Sequence, residues 1–275
     1  MQTTDTPGGV TTSNGIEEAA AARALKQVLR VWRVRCTSAS RGCVTPPQLT
    51  QTVERSRLMI RAVVFDVGEC LVDETREYGT WADWLGVPRH TFSAVFGAVI
   101  ARGMDYREAF QVFQPGFDLA EERRKREDAG QAERFGEDDV YPDVRPALKA
   151  LRGDGLWLGL AGNQTVSAGR ILRELGFPVD MVATSDDWGV SKPDLGFFEH
   201  VIEAVPYAAE EILYVGDRID NDIRPAAESG MATALIRRAP WGVIQEHDPA
   251  ADEISTLRIS SLTELPTWIA TLNES

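Results

Sequence analysis

Four short stretches of this 275-residue chain set carboxylates, a lysine and an amide next to glycines. The first is Phe65-Asp66-Val67-Gly68-Glu69-Cys70-Leu71-Val72-Asp73. The second is Leu160-Ala161-Gly162-Asn163, and the third is Val190-Ser191-Lys192-Pro193-Asp194. The fourth runs from Tyr214 through Gly216-Asp217-Arg218-Ile219-Asp220-Asn221 to Asp222. A carboxylate can attack an electrophilic centre and form a short-lived covalent intermediate. Carboxylate and carbonyl oxygens suit Mg²⁺, which takes hard ligands in octahedral geometry. A lysine supplies fixed positive charge where negative charge develops. Taken singly, each residue has an ordinary explanation: an aspartate at a strand end caps a turn, and acids near a helix start answer its dipole. In this order, each after an expected strand, they point to one shared site.

Such a site needs strand ends to hold it. Ala62-Val63-Val64-Phe65 is a continuous apolar run stopped by Asp66, the pattern of a strand buried on both faces. Residues 156–161, 181–183, 212–215 and 233–236 repeat it. Helical patterns lie between them at 144–152, 166–175, 195–204 and 222–229. Strand–helix alternation implies right-handed crossovers and a parallel sheet. In open parallel sheets ligands bind beyond the carboxyl ends of the strands, where these polar residues fall.

Residues 78–140 break the alternation, with helical periodicity and no convincing strand. Trp81, Trp84, Phe92, Phe96, Tyr106, Phe110, Phe113 and Phe117 are expected to build a core of their own. Residues 121–131 are highly charged and read as a solvated helix. Arg76, Arg89, Arg102 and Arg107 read as surface cations. A helical insert next to a candidate active-site strand reads as a lid.

The formal net charge is −13. It is split, with +4 on residues 1–58 and −17 on the rest, which marks the first segment as an appended extension. An acidic surface makes nucleic acid a poor partner. No apolar run approaches the roughly 20 residues of a membrane span. Cys36, Cys43 and Cys70 are too few for a disulfide framework and point to a reducing cytoplasm. None of the three histidines sits in a metal or triad spacing, so the chemistry rests on carboxylates.

The order and spacing of the four motifs resemble the haloacid dehalogenase (HAD) superfamily of hydrolases, over about residues 60–270. The resemblance implies an α/β, three-layer Rossmann-like fold with a parallel sheet of order 5-4-1-2-3 and an inserted helical cap. Residues 59–78 and 141–275 would form the catalytic core, 79–140 the cap and 1–58 the extension. It also implies a phosphatase, acting on a small phosphorylated metabolite through an aspartyl-phosphate on Asp66. Mg²⁺ would be held by Asp66, the backbone carbonyl of Gly68, Asp217 and Asp222. Lys192 would stabilise the transferring group, and Asn163 with Gly162 would cradle the phosphate. Such an enzyme is expected as a monomer or homodimer, without nucleic-acid or membrane partners.

The chain departs from the family pattern at the first two motifs. Where family phosphatases carry a second aspartate, the general acid and base, this chain has Gly68, followed by Glu69 and Cys70. The second motif ends in Gly162 instead of Ser or Thr. General acid–base help is worth about 10²–10⁴ in rate. Its loss predicts a preference for leaving groups stable as anions, with Glu69 first in line to replace the acid and Asp73 and Glu74 behind it. Two other readings belong beside this one: a metal-independent haloacid dehalogenase-like hydrolase, and a weakened binding or regulatory module. Retention of Asp66, Lys192 and Asp217 argues against the module, and the acids of the fourth motif argue for a cation and against the dehalogenase.

Overall fold

The computed structural model describes residues 59–274, so the proposed extension, with Cys36 and Cys43, lies outside the described residues. The described residues begin with strand β1 (Ala62–Phe65) and then pass through four α-helices: α1 (Thr75–Trp84), α2 (Arg89–Ile100), α3 (Glu108–Phe113) and α4 (Leu119–Asp128). It returns as α5 (Val144–Gly153), β2 (Trp157–Gly162), α6 (Val166–Glu174), β3 (Met181–Thr184), α7 (Ser185–Trp188) and α8 (Leu195–Ala204). Then follow β4 (Ile212–Gly216), a wide helical turn (Ile219–Ile223), α9 (Arg224–Glu228), β5 (Ala232–Ile236), α10 (Ala239–Ile244) and α11 (Pro249–Ile254). Strand β6 (Leu257–Ile259) and helix α12 (Leu265–Glu274) close the chain.

All strand pairs are parallel, in the order β3-β2-β1-β4-β5-β6. This is the expected five-strand order with one strand added at the edge. Strand β6 was not expected, because three residues with Arg258 exposed in the middle carry no run and no boundary glycine. Its pairing with β5 defines it.

The alternation of side chains along each strand separates two faces. Ala62 and Val64 of β1 pack with Ile212 and Tyr214 of β4 against Phe197, Phe198 and Val201 of α8. On α5, Val144, Ala147, Leu148 and Leu151 recur at helical spacing and are fully enclosed. Burial of each such side chain stabilises the fold by about 1.5–3 kcal/mol.

The helical insert is a closed excursion. Asp73 N–H donates to the Asp139 carbonyl and Tyr141 N–H to that of Leu71, while Val72 and Val140 form an antiparallel bridge. Within the insert, Trp81, Phe92, Phe96, Phe110 and Phe117 are buried together, as their spacing predicts. Trp241 of α10 joins them from the other side of the chain, edge-on to Phe96 at 5.1 Å. Helix α4 is mostly exposed, as expected of a solvated helix, except at Glu122 and Arg126, which are buried. Glu122 accepts from the Trp84 indole, and Arg126 donates to Glu77 and Thr80 and lies 4.0 Å over the Trp81 ring. Charges are tolerated in such places when they are paired, and pairing partners 38–49 residues away leave no trace in local composition. Arg76, Arg89 and Arg107 form ion pairs with Asp139, Asp83 and Asp105. Among the described residues, no helix is long and apolar enough to cross a membrane.

Asp143, just before α5, ties the end of the chain to the sheet. One of its oxygens accepts from Arg238, the Ser261 hydroxyl and Leu262 N–H. Burial works to raise its pKa, but the Leu262 and Ser261 bonds and the Arg238 charge outweigh it and hold the carboxyl below its ordinary value. A depressed carboxyl contributes stability above its unfolded pKa and loses it as pH falls through the folded value. Asp143→Asn should therefore cost about 1–3 kcal/mol at neutral pH. The gap should narrow as urea melts are repeated at pH values descending through the carboxylate range.

Candidate active site at the carboxyl ends of the strands

Strands β1, β2 and β4 all end at the same edge, and their register brings Phe65 beside Leu160 and Val215. The next residue on β1 is Asp66, whose N–H donates to the Val215 carbonyl at 2.8 Å. Asp217 follows the last residue of β4. The helix expected at 222–229 is present as α9 over Arg224–Glu228, and a wide turn over Ile219–Ile223 precedes it. Such wide turns gather at functional sites. This one carries the Asp222 carboxylate back over Gly216, where an added Cβ would lie 2.5 Å from it. The only residue type that leaves room there is glycine.

The result is a buried cluster in which Asp66, Asp217 and Asp222 each offer a carboxylate oxygen within 4.8 Å of the others. Lys192 stands among them, its ammonium 2.6 Å from Asp66 Oδ1 and 2.7 Å from Asp222 Oδ1. Burial alone would push the Lys192 pKa down; Asp222 and Asp66 overcome this and drive it well up, so it stays charged. Burial, the Asp222 charge and the Asp66 charge raise the pKa of Asp217 well above the carboxylate range. Asp66 is pushed up to about 6 by burial, against the pull of Lys192. With all three acids ionised, three carboxylates and one ammonium would carry a net charge of −2, which a divalent cation would neutralise; without one, burial and mutual repulsion show as the raised pKa values of Asp217 and Asp66.

The polar atoms also fit a cation. Both Asp222 oxygens are engaged, one by Lys192 and Asn221 and the other by Arg218 N–H. Asp217 Oδ2 is buried with no hydrogen-bond partner. An orphaned carboxylate oxygen in such a place costs stability unless something coordinates it. Asp217 and Asp66 therefore suit direct ligation, and Asp222 suits orienting Lys192 and the turn.

The remaining expected residues fall as follows. Asn163 does not point its amide into open space: Nδ2 donates to the Lys192 carbonyl and Oδ1 accepts from Lys192 N–H. It thus clamps the Lys192 backbone. Gly162 ends β2 against Asp66, and a Cβ there would be 2.7 Å from Asp66 Oδ1. Glu69 lies outside the cluster; it adopts a left-handed φ of 55° and its carboxylate accepts from the Tyr141 hydroxyl at 2.8 Å. Burial raises its pKa to about 7. Beside Gly68 stands Glu74, whose pKa is driven well up by burial and by the charges of Glu69, Glu133 and Asp66.

Three participants were not expected. The ammonium of Lys192 lies 5.9 and 5.7 Å from the ring centres of Phe197 and Tyr214, which wall it from behind. A lone tyrosine in an otherwise aliphatic strand was the available signal for Tyr214, whose hydroxyl donates to the Ala161 carbonyl. Arg238 donates to the Cys70 carbonyl, 168 residues away in sequence, and nothing local announces it.

The family model described as hydrolase, haloacid dehalogenase-like hydrolase, matches residues 60–230. The chain belongs to this family. A glyceraldehyde 3-phosphate phosphatase of Methanocaldococcus jannaschii is 38% identical over 128 residues, covering 46% of this chain and 54% of its own length. The chain spans about half the length of the first curated relatives it matches. Phosphatase MT3486 of Mycobacterium tuberculosis is 28% identical over 214 residues, 73% of this chain and 96% of its own. In the solved structures, the HAD-hydrolase YfnB of Bacillus subtilis, determined with magnesium, shares the fold at a TM-score of 0.58. That match is 20% identical and covers 77% of this chain and 99% of the other.

Two substitutions probe this HAD-like site. Lys192→Met leaves Asp66 and Asp222 buried without their counter-ion and should cost about 3–5 kcal/mol in a urea melt. Gly162→Ser, which restores the hydroxyl usual in the family, should lower activity, because its Cβ displaces the Asp66 carboxylate. Hydrolysis of a chromogenic ester at saturating concentration measures the second.

Proposed function

We propose that the protein is a Mg²⁺-dependent phosphatase that hydrolyses a small phosphorylated metabolite through an aspartyl-phosphate on Asp66. One observation carries this reading: a buried trio of carboxylates, with an orphaned Asp217 oxygen, facing a lysine. Relatives named as phosphatases support it. A dehalogenase working without metal has no use for Asp217 and Asp222 in this position, and their mutual repulsion would burden it.

In this reading Asp66, the Gly68 carbonyl and Asp217 hold the cation, and Asp222 fixes the groups around it. When bound, Mg²⁺ neutralises the carboxylates and polarises the phosphoryl oxygens. Asp66 is the nucleophile. Lys192 keeps one Asp66 oxygen in place through a 2.6 Å bond, which fixes the direction of attack. Its charge also favours the pentavalent transition state over the ground state. Asn163 positions Lys192, and the backbone at Gly162–Asn163 is the expected phosphate cradle. The stretch 79–140 acts as a cap that selects the substrate and keeps water out while Asp66 attacks. With no side chain on Gly68, the first motif by itself favours leaving groups stable as anions. The protein is read as a cytoplasmic enzyme, a monomer or homodimer, with no nucleic-acid or membrane partner.

The test has two readouts. Mg²⁺-dependent phosphate release from p-nitrophenyl phosphate should vanish in Asp66→Asn. Mg²⁺ should raise the thermal unfolding midpoint of the wild type, as any ligand selective for the folded state does, and should do so much less for Asp217→Asn. Halide release from a 2-haloacid, indifferent to chelator, would overturn the reading.

A further inference from the structure

Gly68 lacks the side chain that would serve as proton donor, yet its place is not vacant. A Cβ built on Gly68 would lie 2.4 Å from Glu74 Oε1 and 2.9 Å from the Glu74 carboxyl carbon. The carboxyl of Glu74 thus fills the space into which a residue-68 side chain would grow. It reaches that space from the residue just before α1, six positions along the chain. The Glu74 side chain makes no capping hydrogen bond at the start of α1; Asp73 takes the Thr75 N–H instead. Glu74 also lines a small cavity together with Gly68, Gln164, Glu133 and Arg134. Gln164 follows Asn163 directly in the expected phosphate cradle. Glu69, the nearer candidate in sequence, is turned away to Tyr141.

The geometry points to Glu74 as the general acid and base of this enzyme, delivered from the start of the first insert helix in place of a side chain at position 68. The inference rests on the phosphatase reading and alters one part of it, the expected restriction to leaving groups stable as anions. In the first step an Asp66 oxygen bonds to phosphorus, the bond from phosphorus to the ester oxygen breaks, and its electron pair stays on that oxygen. The leaving oxygen takes the proton of the Glu74 carboxyl and departs as an alcohol. In the second step Glu74, now a carboxylate, takes a proton from water as the water oxygen bonds to phosphorus. The phosphorus–Asp66 bond breaks with its electrons returning to the Asp66 carboxylate, and phosphate leaves. Because Glu74 opens α1, the acid and the cap arrive on one element, so a cap displaced from the core would take its proton donor with it.

The experiment compares wild type, Glu74→Gln and the double variant G68D/E74A on p-nitrophenyl, phenyl and benzyl phosphates, with Mg²⁺. These leaving groups are of similar size but need protonation to increasing degree, so cap selectivity stays nearly constant. Glu74→Gln should keep kcat/KM for p-nitrophenyl phosphate within about threefold and lower it by about 10²-fold for benzyl phosphate. Its kcat on p-nitrophenyl phosphate should fall, with covalent phosphoryl-enzyme accumulating in acid-quenched samples, because water loses its base. G68D/E74A, which removes the crowding carboxyl and seats an aspartate at 68, should recover benzyl phosphate hydrolysis. Equal losses on all three esters, or none, overturn the assignment of Glu74 while leaving the phosphatase intact. If Glu74→Gln fails to fold, failure of a folded G68D/E74A to cleave benzyl phosphate overturns it instead. Wild type releasing phosphate from none of the three removes the phosphatase reading itself, and this assignment with it.

Discussion

The structure of the site depends on one buried ammonium. Lys192 sits between Asp66 and Asp222 at hydrogen-bond distance from both, with almost no solvent to share the work. Without it, three carboxylates within 4.8 Å would repel one another where water cannot screen them. Much of the surrounding architecture keeps this one group in place. Asn163 holds its backbone at both polar ends, Asp222 is fixed by Arg218 N–H, and Phe197 and Tyr214 close the space behind it. The lysine offsets one carboxylate charge in three, so full ionisation of the cluster calls for further positive charge.

Glycine has a specific role at three points around this cluster. At Gly216 the Asp222 side chain occupies the space a Cβ would need, at Gly162 the Asp66 carboxylate does, and at Gly68 the Glu74 carboxyl does. In each case an acid from elsewhere in the chain lies against bare backbone. Two of the three are the positions where the family pattern has a polar side chain. The departures are thus coupled to neighbours, and reading them as simple losses overlooks what has moved into the room they leave.

The insert is joined to the site chemically as well as by the chain. Trp241 packs into the insert's aromatic cluster through Phe96 and Tyr106, and the Arg218 guanidinium lies 4.6 Å over the same indole. Arg218 follows Asp217 directly and pairs with Asp220. The wide turn that presents Asp222 and the aromatic core of the insert therefore share a side chain, and a shift of one bears on the other. The base of the insert is held separately by the bonds between residues 71–73 and 139–141.

Much of this was legible in the sequence. Continuous apolar runs gave five parallel strands, because strands buried on both faces need no alternation. The polar residues after those runs gave Asp66, Lys192, Asp217 and Asp222, because chain topology forces strand ends to one edge. The same reasoning failed wherever the deciding contact was distant or the signal short. Strand β6 is three residues defined by its neighbour, Glu122 and Arg126 of α4 are buried against partners 38–49 residues away, and Arg238 meets Cys70 from 168 residues along the chain. The acid is the clearest case. Sequence alone determined that position 68 has no carboxyl and put Glu69 ahead of Asp73 and Glu74 as its replacement. Only the tertiary structure shows that the Glu74 carboxyl lies against Gly68 while Glu69 turns to Tyr141, because the direction of a side chain at a turn is set by the backbone's path and by what packs around it, and neither is written in the residues themselves.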